Sequence, residues 1–340
     1  MKRVGNLYEK IISLDNLRLA DEKARRGKKR KRAIARHDQN REANLLALHE
    51  SLKNHTFVNS KYKVRTIKEK KERIIKVLPY YPDRILHHAI MNVLEPIWVP
   101  MFSPCTFSCI KGRGIHAAMK AVKRALKDRE GTKYCLKIDI KKFYPSVSND
   151  VMKRIVARKI KDKEVLWLLG VIIESDEGLP IGNYLSQYLS NVVLTYFDHK
   201  IKEVRRVKHY IRYADDMTFF GATKEELRDL LVYIKAELAE LGLELKGNEQ
   251  IFPVSENRYD KSGRGIDFLG FVFYHNQTLV RKYIKHNFCR AAARLNRMHR
   301  ITAKAYRQAL CSWLGWFKVT NSYRLVHKII KPQFYATCYV

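Results

Sequence analysis

An α+β fold assembled from β-hairpins and helices is what this sequence predicts, on three observations. Runs of β-forming residues recur at Tyr62 to Ile67, Arg73 to Leu78, Tyr134 to Ile140, Ile211 to Phe220 and Gly265 to Tyr274. Apolar residues at helical spacing fill most of the chain between and beyond these runs. Asp139 in one of these runs and the pair Asp215-Asp216 in another stand where a strand would normally bury apolar side chains.

Taken in order, the first 60 residues read as basic helices. The run Arg25-Arg26-Gly27-Lys28-Lys29-Arg30-Lys31-Arg32 is too dense in cations to serve solubility alone, and contact with RNA is expected there over a merely solvated face. Asn44 to Leu52 has helical apolar spacing and ends near Asn54. The strands Tyr62 to Ile67 and Arg73 to Leu78 flank Lys68-Glu69-Lys70-Lys71-Glu72, a hairpin with a cationic tip suited to gripping phosphates. Pro82-Asp83-Arg84 opens an apolar packing helix from Ile85 to about Pro96. Lys111-Gly112-Arg113-Gly114 precedes a helix from Ile115 to about Lys127, and its glycines would let backbone amides approach a phosphate. Helices are expected over Ser148 to Lys161 and Lys163 to Glu174, a turn over Gly178 to Asn183, and a long amphipathic helix from Tyr184 to about Val204.

Lys224 to Leu241 follows as a helix with Leu227, Leu230, Leu231 and Ile234 on one face. Gly265 to Tyr274 is a hairpin bounded by glycines. The last 60 residues or so form a basic helical tail, in which Arg290, Arg294 and Arg297 share a face. No acid interrupts that face, which points to a duplex backbone as its partner.

The acidic pair is the most informative feature. Ile211-Arg212-Tyr213-Ala214-Asp215-Asp216-Met217-Thr218-Phe219-Phe220 sets two carboxylates inside an apolar run, and a hairpin would hold them at its turn. A polar β-turn is the plain alternative, because Asp is a common turn residue. Asp139, near the end of Tyr134-Cys135-Leu136-Lys137-Ile138-Asp139-Ile140, breaks the tie. Carboxylates from two separate strands can share two divalent ions about 3.5–4 Å apart, the arrangement that two-metal phosphoryl transfer needs.

Composition bounds the function from another side. The 340-residue chain is 46% hydrophobic, too apolar for disorder, and has no apolar run near the ~20 residues of a membrane span. No secretory leader follows Met1, so a cytoplasmic location is expected. Lys and Arg number 67 against 34 Asp and Glu, and a formal +33 calls for a polyanionic partner, nucleic acid before membrane. The six cysteines, Cys105, Cys109, Cys135, Cys289, Cys311 and Cys338, read as reduced, buried thiols. Half a zinc site at Cys105 and Cys109 is the alternative.

The order of a basic hairpin, a lone Asp, a Gly turn before a helix, an Asp pair, a Gly-bounded hairpin and a basic helical tail resembles the reverse transcriptases, from about Lys61 to Tyr274. Tyr213-Ala214-Asp215-Asp216 is similar to that family's Tyr-x-Asp-Asp box, and Asp139 with Phe143-Tyr144 to its first catalytic motif, with Gly182-x-x-x-Ser186-Gln187 between them. The resemblance implies a right-hand polymerase of fingers, palm and thumb, with an antiparallel palm sheet backed by helices and a helical thumb. Its expected divisions are a basic N-terminal extension over 1–60, fingers with parts of the palm over 61–133, palm over 134–264, and primer-grip hairpin with thumb over 265–340.

The same resemblance implies the site. Asp139, Asp215 and Asp216, with the Ile140 carbonyl, would hold two Mg²⁺ ions, or Mn²⁺ in their place. Arg73 would clamp the triphosphate of an incoming dNTP, assisted by Lys68 and Lys70. Tyr144 falls at the steric gate that rejects a ribose 2′-hydroxyl, its alternative being a core aromatic. Ile181, Gly182 and Gln187 would border the nucleotide, and Arg290, Arg294 and Arg297 would track the RNA/cDNA duplex. Lys246 lies early and Glu249 near the place where the fourth palm motif often carries a Lys, which leaves a general acid unassigned.

Ile181 narrows the subfamily. Retroviral and group II intron enzymes typically carry Gln before the Gly; an aliphatic residue there, with Ser186-Gln187, resembles reverse transcriptases of diversity-generating retroelements. These bacterial or phage-encoded enzymes copy a template RNA with errors opposite adenine and work with a small basic accessory protein. Losing a polar contact to the nascent pair would loosen base choice; simple space-filling is the alternative. A retron or group II intron-like enzyme of ordinary fidelity, or an inert RNA-binding relative, remain the competing readings.

Overall fold

The structure, a computed structural model, describes residues 2–68, 72–298 and 300–339. Four helices, Tyr8–Ile12, Leu14–Ala24, Arg32–Asp38 and Arg41–Lys53, make up the N-terminal extension. They are fastened to the rest of the molecule through Asp21, which is fully buried and bonded by the Tyr80 hydroxyl, by Arg25 at 2.7 Å and by Arg41 at 2.6 Å. The hairpin follows as expected, β1 (Lys63–Lys68) pairing antiparallel with β2 (Glu72–Val77).

The palm is a four-stranded antiparallel sheet in the order β4-β5-β3-β6, formed by β3 (Tyr134–Asp139), β4 (Tyr210–Tyr213), β5 (Asp216–Gly221) and β6 (Gln250–Pro253). Alternation along each strand gives the sheet two buried faces. Leu136, Ile138, Met217 and Phe219 pack into the main core with Leu194 and Phe197 of the helix Tyr184–His199 and Leu227 and Ile234 of the helix Lys224–Ala239. Cys135, Ile211, Phe220 and Phe252 face the helix Ile115–Ala125 and a second sheet made of β7 (Ile266–Phe268), β8 (Phe271–Phe273) and β9 (Thr278–Val280). Such buried side chains each contribute roughly 1.5–3 kcal/mol, and here they hold the sheet rigid from both sides.

Helices Lys282–Asn296, Ala303–Phe317, Tyr323–Ile329 and Pro332–Tyr339 close around a third cluster, with Phe288, Tyr306, Leu310 and Phe317 at its centre. This is the right-hand polymerase fold, with an antiparallel palm sheet backed by helices and a helical thumb.

Three expectations need correction. The helix expected to run from Tyr184 to about Val204 keeps α-helical form only to His199, and a π-helical turn, Lys200–Val204, completes it. The glycine-bounded hairpin gains a third strand, β9, and the palm sheet a fourth, β6, neither of which the apolar pattern had marked. Cys311 is exposed and Cys109 and Cys289 are only half-buried, while Cys105, Cys135 and Cys338 are buried as expected. No helix among the described residues is long and apolar enough to cross a membrane.

Candidate active site

The Asp-Asp turn is a two-residue connection between β4 and β5 that places Ala214 in the left-handed region at φ 56°. A non-glycine residue there costs of order 1–3 kcal/mol unless its surroundings fix it. Arg212 is what fixes it. It points to the main-core face of β4, is fully buried, and donates from Nη1 to the Ala214 carbonyl at 3.2 Å and to Asn191 Oδ1 at 3.2 Å. Its charge is met by Asp198, also fully buried, through Nε at 2.9 Å and Nη2 at 2.5 Å. Tyr210 and Thr106 complete the carboxylate's shell at 2.7 and 2.9 Å. One residue of strand parity therefore sends Arg212 into the core and Tyr213 to the opposite face.

Register does the rest. Asp139 and Asp216 are directly paired across β3 and β5, so their side chains share a face with Lys137, two residues upstream. Asp139, Asp215 and Asp216 open into a polar cleft of about 550 Å³, lined also by Lys137, Asn248, Gln250, Arg264 and Asp267. Lys246 Nζ donates to Asp139 Oδ2 at 2.7 Å. Lys137 Nζ stands 3.4 Å from Asp216 Oδ1 and donates to the Asp267 carbonyl on β7, linking the palm to the second sheet. Asp216 Oδ1 is shut off from solvent and has no hydrogen-bond partner.

Burial pushes the Asp216 carboxyl up to about 6, and the nearby Asp139 and Asp215 charges add to that push against the pull of Lys137. Burial likewise raises Asp215, helped by Asp139 and opposed by Lys246. Two carboxyls whose ionisation is opposed by burial and by neighbouring acids, one of them with a buried oxygen that lacks a hydrogen bond, fit a site completed by cations. Among the described residues no group of three or more His, Cys, Asp or Glu side chains is placed to hold a metal ion, so any metal would need ligands besides these carboxylates. Ile140 can offer one. Lys141 N donates to the Glu244 carbonyl at 2.9 Å and Lys246 N to the Asp139 carbonyl at 3.0 Å, which leaves the Ile140 carbonyl turned away from that ladder toward the β5 edge.

The remaining predicted residues fall into two groups. Tyr144 follows β3 in the short helix Phe143–Ser146, half-buried, with its hydroxyl raised by burial. The turn at Gly178 sits tightly against it: Leu179 N donates to the Tyr144 carbonyl at 2.7 Å, and a Cβ on Gly178 would lie 2.8 Å from that oxygen. Ile181 is half-buried and its carbonyl accepts from Lys76 N of β2 at 2.8 Å. Gly182, at φ 107°, allows this approach, because a Cβ would meet the Lys76 carbonyl at 2.9 Å and Ile75 at 2.8 Å. Lys76 also pairs with Asp176 at 2.5 Å, so the hairpin is docked on the turn. Arg73 is exposed on β2, opposite Ile67, and Gln187 is exposed on the helix Tyr184–His199.

Lys68 ends β1 opposite Glu72, and Lys70 lies outside the described residues. Arg290 and Arg294 are exposed on the helix Lys282–Asn296, and Arg297 caps that helix. They lie far from the carboxylates in sequence, and they line no part of their cleft.

Sequence reasoning missed Arg212 with Asp198, and it missed the bonds of Lys137 and Lys246. The signals were present in part: Asp198 ends an otherwise apolar helical run and Arg212 sits between β-formers, a pattern that marks a buried pair. Lys137 lies two residues before Asp139, hence on its strand face.

A family model described as reverse transcriptase (RNA-dependent DNA polymerase) matches residues 61–273, and the chain belongs to that family. Among curated relatives, Protein YkfC of Escherichia coli is 28% identical over 37% of this chain and 36% of its own length. The group II intron-encoded protein LtrA of Lactococcus lactis is 23% identical over 46% of this chain and 28% of its own. The retron Ec73 reverse transcriptase of Escherichia coli is 28% identical over 58% of this chain and 64% of its own. The matched part thus spans less than two thirds of each of these relatives. A solved structure of apo telomerase from Candida tropicalis superposes with a TM-score of 0.49 and 12% identity, covering 80% of this chain and 59% of that one.

Proposed function

We propose that this chain is an RNA-directed DNA polymerase that copies a template RNA into cDNA by two-metal nucleotidyl transfer, in a diversity-generating retroelement, with errors concentrated opposite adenine. The observation that carries the polymerase reading is the meeting of Asp139, Asp215 and Asp216 at one open polar cleft, with Asp216 Oδ1 buried and without a hydrogen bond. These carboxylates and the Ile140 carbonyl would hold two divalent ions, Mg²⁺ or Mn²⁺. When bound, such ions supply Lewis acidity to the primer 3′-hydroxyl and neutralise charge on the leaving pyrophosphate.

The chain's own residues bind and orient. Arg73 presents its guanidinium fork to the β- and γ-phosphates of the dNTP, assisted by Lys68 and Lys70. Gly182 lets that hairpin seat on the turn that carries Ile181, so a nucleotide gripped by the fingers lies beside Ile181 and Gln187. The Tyr144 ring excludes a 2′-hydroxyl. Arg290, Arg294 and Arg297 follow the RNA/cDNA duplex along the thumb. The divisions at 60/61, 133/134 and 264/265 mark extension, fingers, palm and thumb. A small basic accessory protein joins the enzyme and its template, and the gene is bacterial or phage-borne, with the enzyme working in the cytoplasm.

The mutagenic part of the reading rests on Ile181, whose aliphatic side chain offers no hydrogen bond to the nascent pair. A second reading, a retron or group II intron-like enzyme of ordinary fidelity, is favoured by the relatives from those elements. Sequencing cDNA made by wild type and by Ile181→Gln on one primed RNA, with dNTPs and Mg²⁺, separates the two. The mutagenic reading expects wild-type errors clustered at template adenines and a several-fold drop in the variant. A uniform low error rate in both proteins would establish the second reading.

A further inference from the structure

The densest cationic segment of the chain takes no part in the site described above. Residues 25–30 form consecutive turns between the helices Leu14–Ala24 and Arg32–Asp38, held by Lys28 N to the Arg25 carbonyl and Lys31 N to the Lys28 carbonyl, both at 2.9 Å. Gly27, at φ 68°, makes the bend, and Gly27 to Lys31 surround a surface hollow of about 530 Å³. None of its lining residues borders the carboxylate cleft.

Its charges are treated differently from those beside it. Arg25 is paired with Asp21 and Asp38 at 2.7 and 2.8 Å, and Arg41 with Asp21 at 2.6 Å. Arg26, Lys28, Lys29, Arg30, Lys31 and Arg32 form no ion pair among the described residues. Arg84, from the base of the helix Ile85–Trp98, joins them: Lys28 is held below its ordinary basicity by burial and by Arg84 and Lys31. Arg84 Nε is buried without a hydrogen-bond partner. Like charges set close together are a standing electrostatic cost, and an anion relieves it. The loop is also held in place, because Asp21 ties the helix before it to Tyr80.

We propose that Arg26, Lys28, Lys29, Arg30 and Lys31, with Arg84 behind them, form a second nucleic-acid site that grips the phosphate backbone of the template RNA outside the catalytic cleft. This rests on the RNA-templated reading above and deepens it by naming where the RNA is retained. Phosphates at regular spacing match a row of Lys and Arg donors on a turn, whereas an acidic protein would need apolar contacts, and no large exposed apolar side chain lies between residues 25 and 32. The site would hold RNA without reading its sequence.

The test uses the full chain and a fluorescein-labelled RNA hairpin with a single-stranded tail, comparing wild type with Lys28→Gln/Lys31→Gln and with Lys28→Glu/Lys31→Glu. Anisotropy titrations across salt should show affinity falling about tenfold in the neutral variant and further in the reversed one, with the salt slope lower by roughly one for each phosphate no longer gripped. Turnover of a saturating short primed RNA should stay at the wild-type value, because the cleft is untouched. Equal affinity and slope in all three proteins would overturn the proposal. So would displacement of the RNA by poly-glutamate at equal charge concentration, which would assign the loop to an acidic protein. Absence of primer extension by wild type, with RNA affinity still dependent on the loop, would instead remove the polymerase reading and leave the loop's binding intact.

Discussion

Two acidic centres of the palm, Asp198 and the Asp215-Asp216 turn, stand on either side of one strand and are treated in opposite ways. Asp198 is wholly buried, yet both its oxygens are engaged, by Arg212, Tyr210 and Thr106. Asp216 is only partly buried, yet one oxygen has no hydrogen bond and the nearest cation stands off at 3.4 Å. A carboxylate satisfied in full where burial is complete serves the architecture, while one left short where a cleft opens fits the ligand role that the proposed function gives it. The two are mechanically joined, since the guanidinium that neutralises Asp198 also holds the carbonyl of strained Ala214.

The sharpest way to break this contrast is to remove a carboxylate on one side and its counterpart cation on the other. Asp215→Ala should lower dNTP incorporation on a primed RNA by about 10³-fold or more while leaving the thermal midpoint within a few degrees of wild type. Incorporation at the wild-type rate would remove Asp215 from the chemistry. Arg212→Met should behave in the reverse sense, costing about 3–5 kcal/mol in urea unfolding because Asp198 is left buried and unpaired. The double change Asp198→Asn/Arg212→Met should recover part of that loss. A single-variant cost below about 1 kcal/mol would show that the pair does not hold the turn in place.

The smallest effect concerns pH. The Asp216 carboxyl is held at about 6, above its ordinary 3.8, so between these values the folded protein keeps a proton that the unfolded chain has released. Stability of the metal-free protein should therefore fall as pH rises through that window and stay reduced above it. In Asp216→Asn the fall disappears, and calorimetry at pH 7 should find the variant more stable than wild type, with the gap closing toward pH 4. Parallel pH profiles for the two proteins would argue against a strained Asp216.

Much of this is legible in the sequence itself. Periodicity marked the helices Arg41–Lys53, Ile85–Trp98 and Lys224–Ala239 and the hairpin of β1 and β2, because long amphipathic patterns and a charged turn leave few other conformations. β6 and β9 escaped. They are only four and three residues long, too short for alternation to stand out from the surrounding loops, and what makes each a strand is a neighbour in its sheet. Among site residues, Asp139, Asp215 and Asp216 announced themselves as acids amid apolar neighbours, whereas Lys246 stood out only by its place near the fourth palm motif, and nothing in its polar loop marked its bond to Asp139.

The sequence by itself determined the kinds of chemistry available: carboxylates at strand ends, a cationic hairpin tip, and an excess of positive charge that demands a polyanion. These are properties of residue types and of spacing within one element, and they need no partner to be read. Only the tertiary structure decided which carboxylate is satisfied and which is left wanting, that Lys246 rests on Asp139, and that Gly182 admits β2. Each depends on a distance between segments remote in the chain, and the strength of a hydrogen bond or ion pair is set by that distance and by the burial around it.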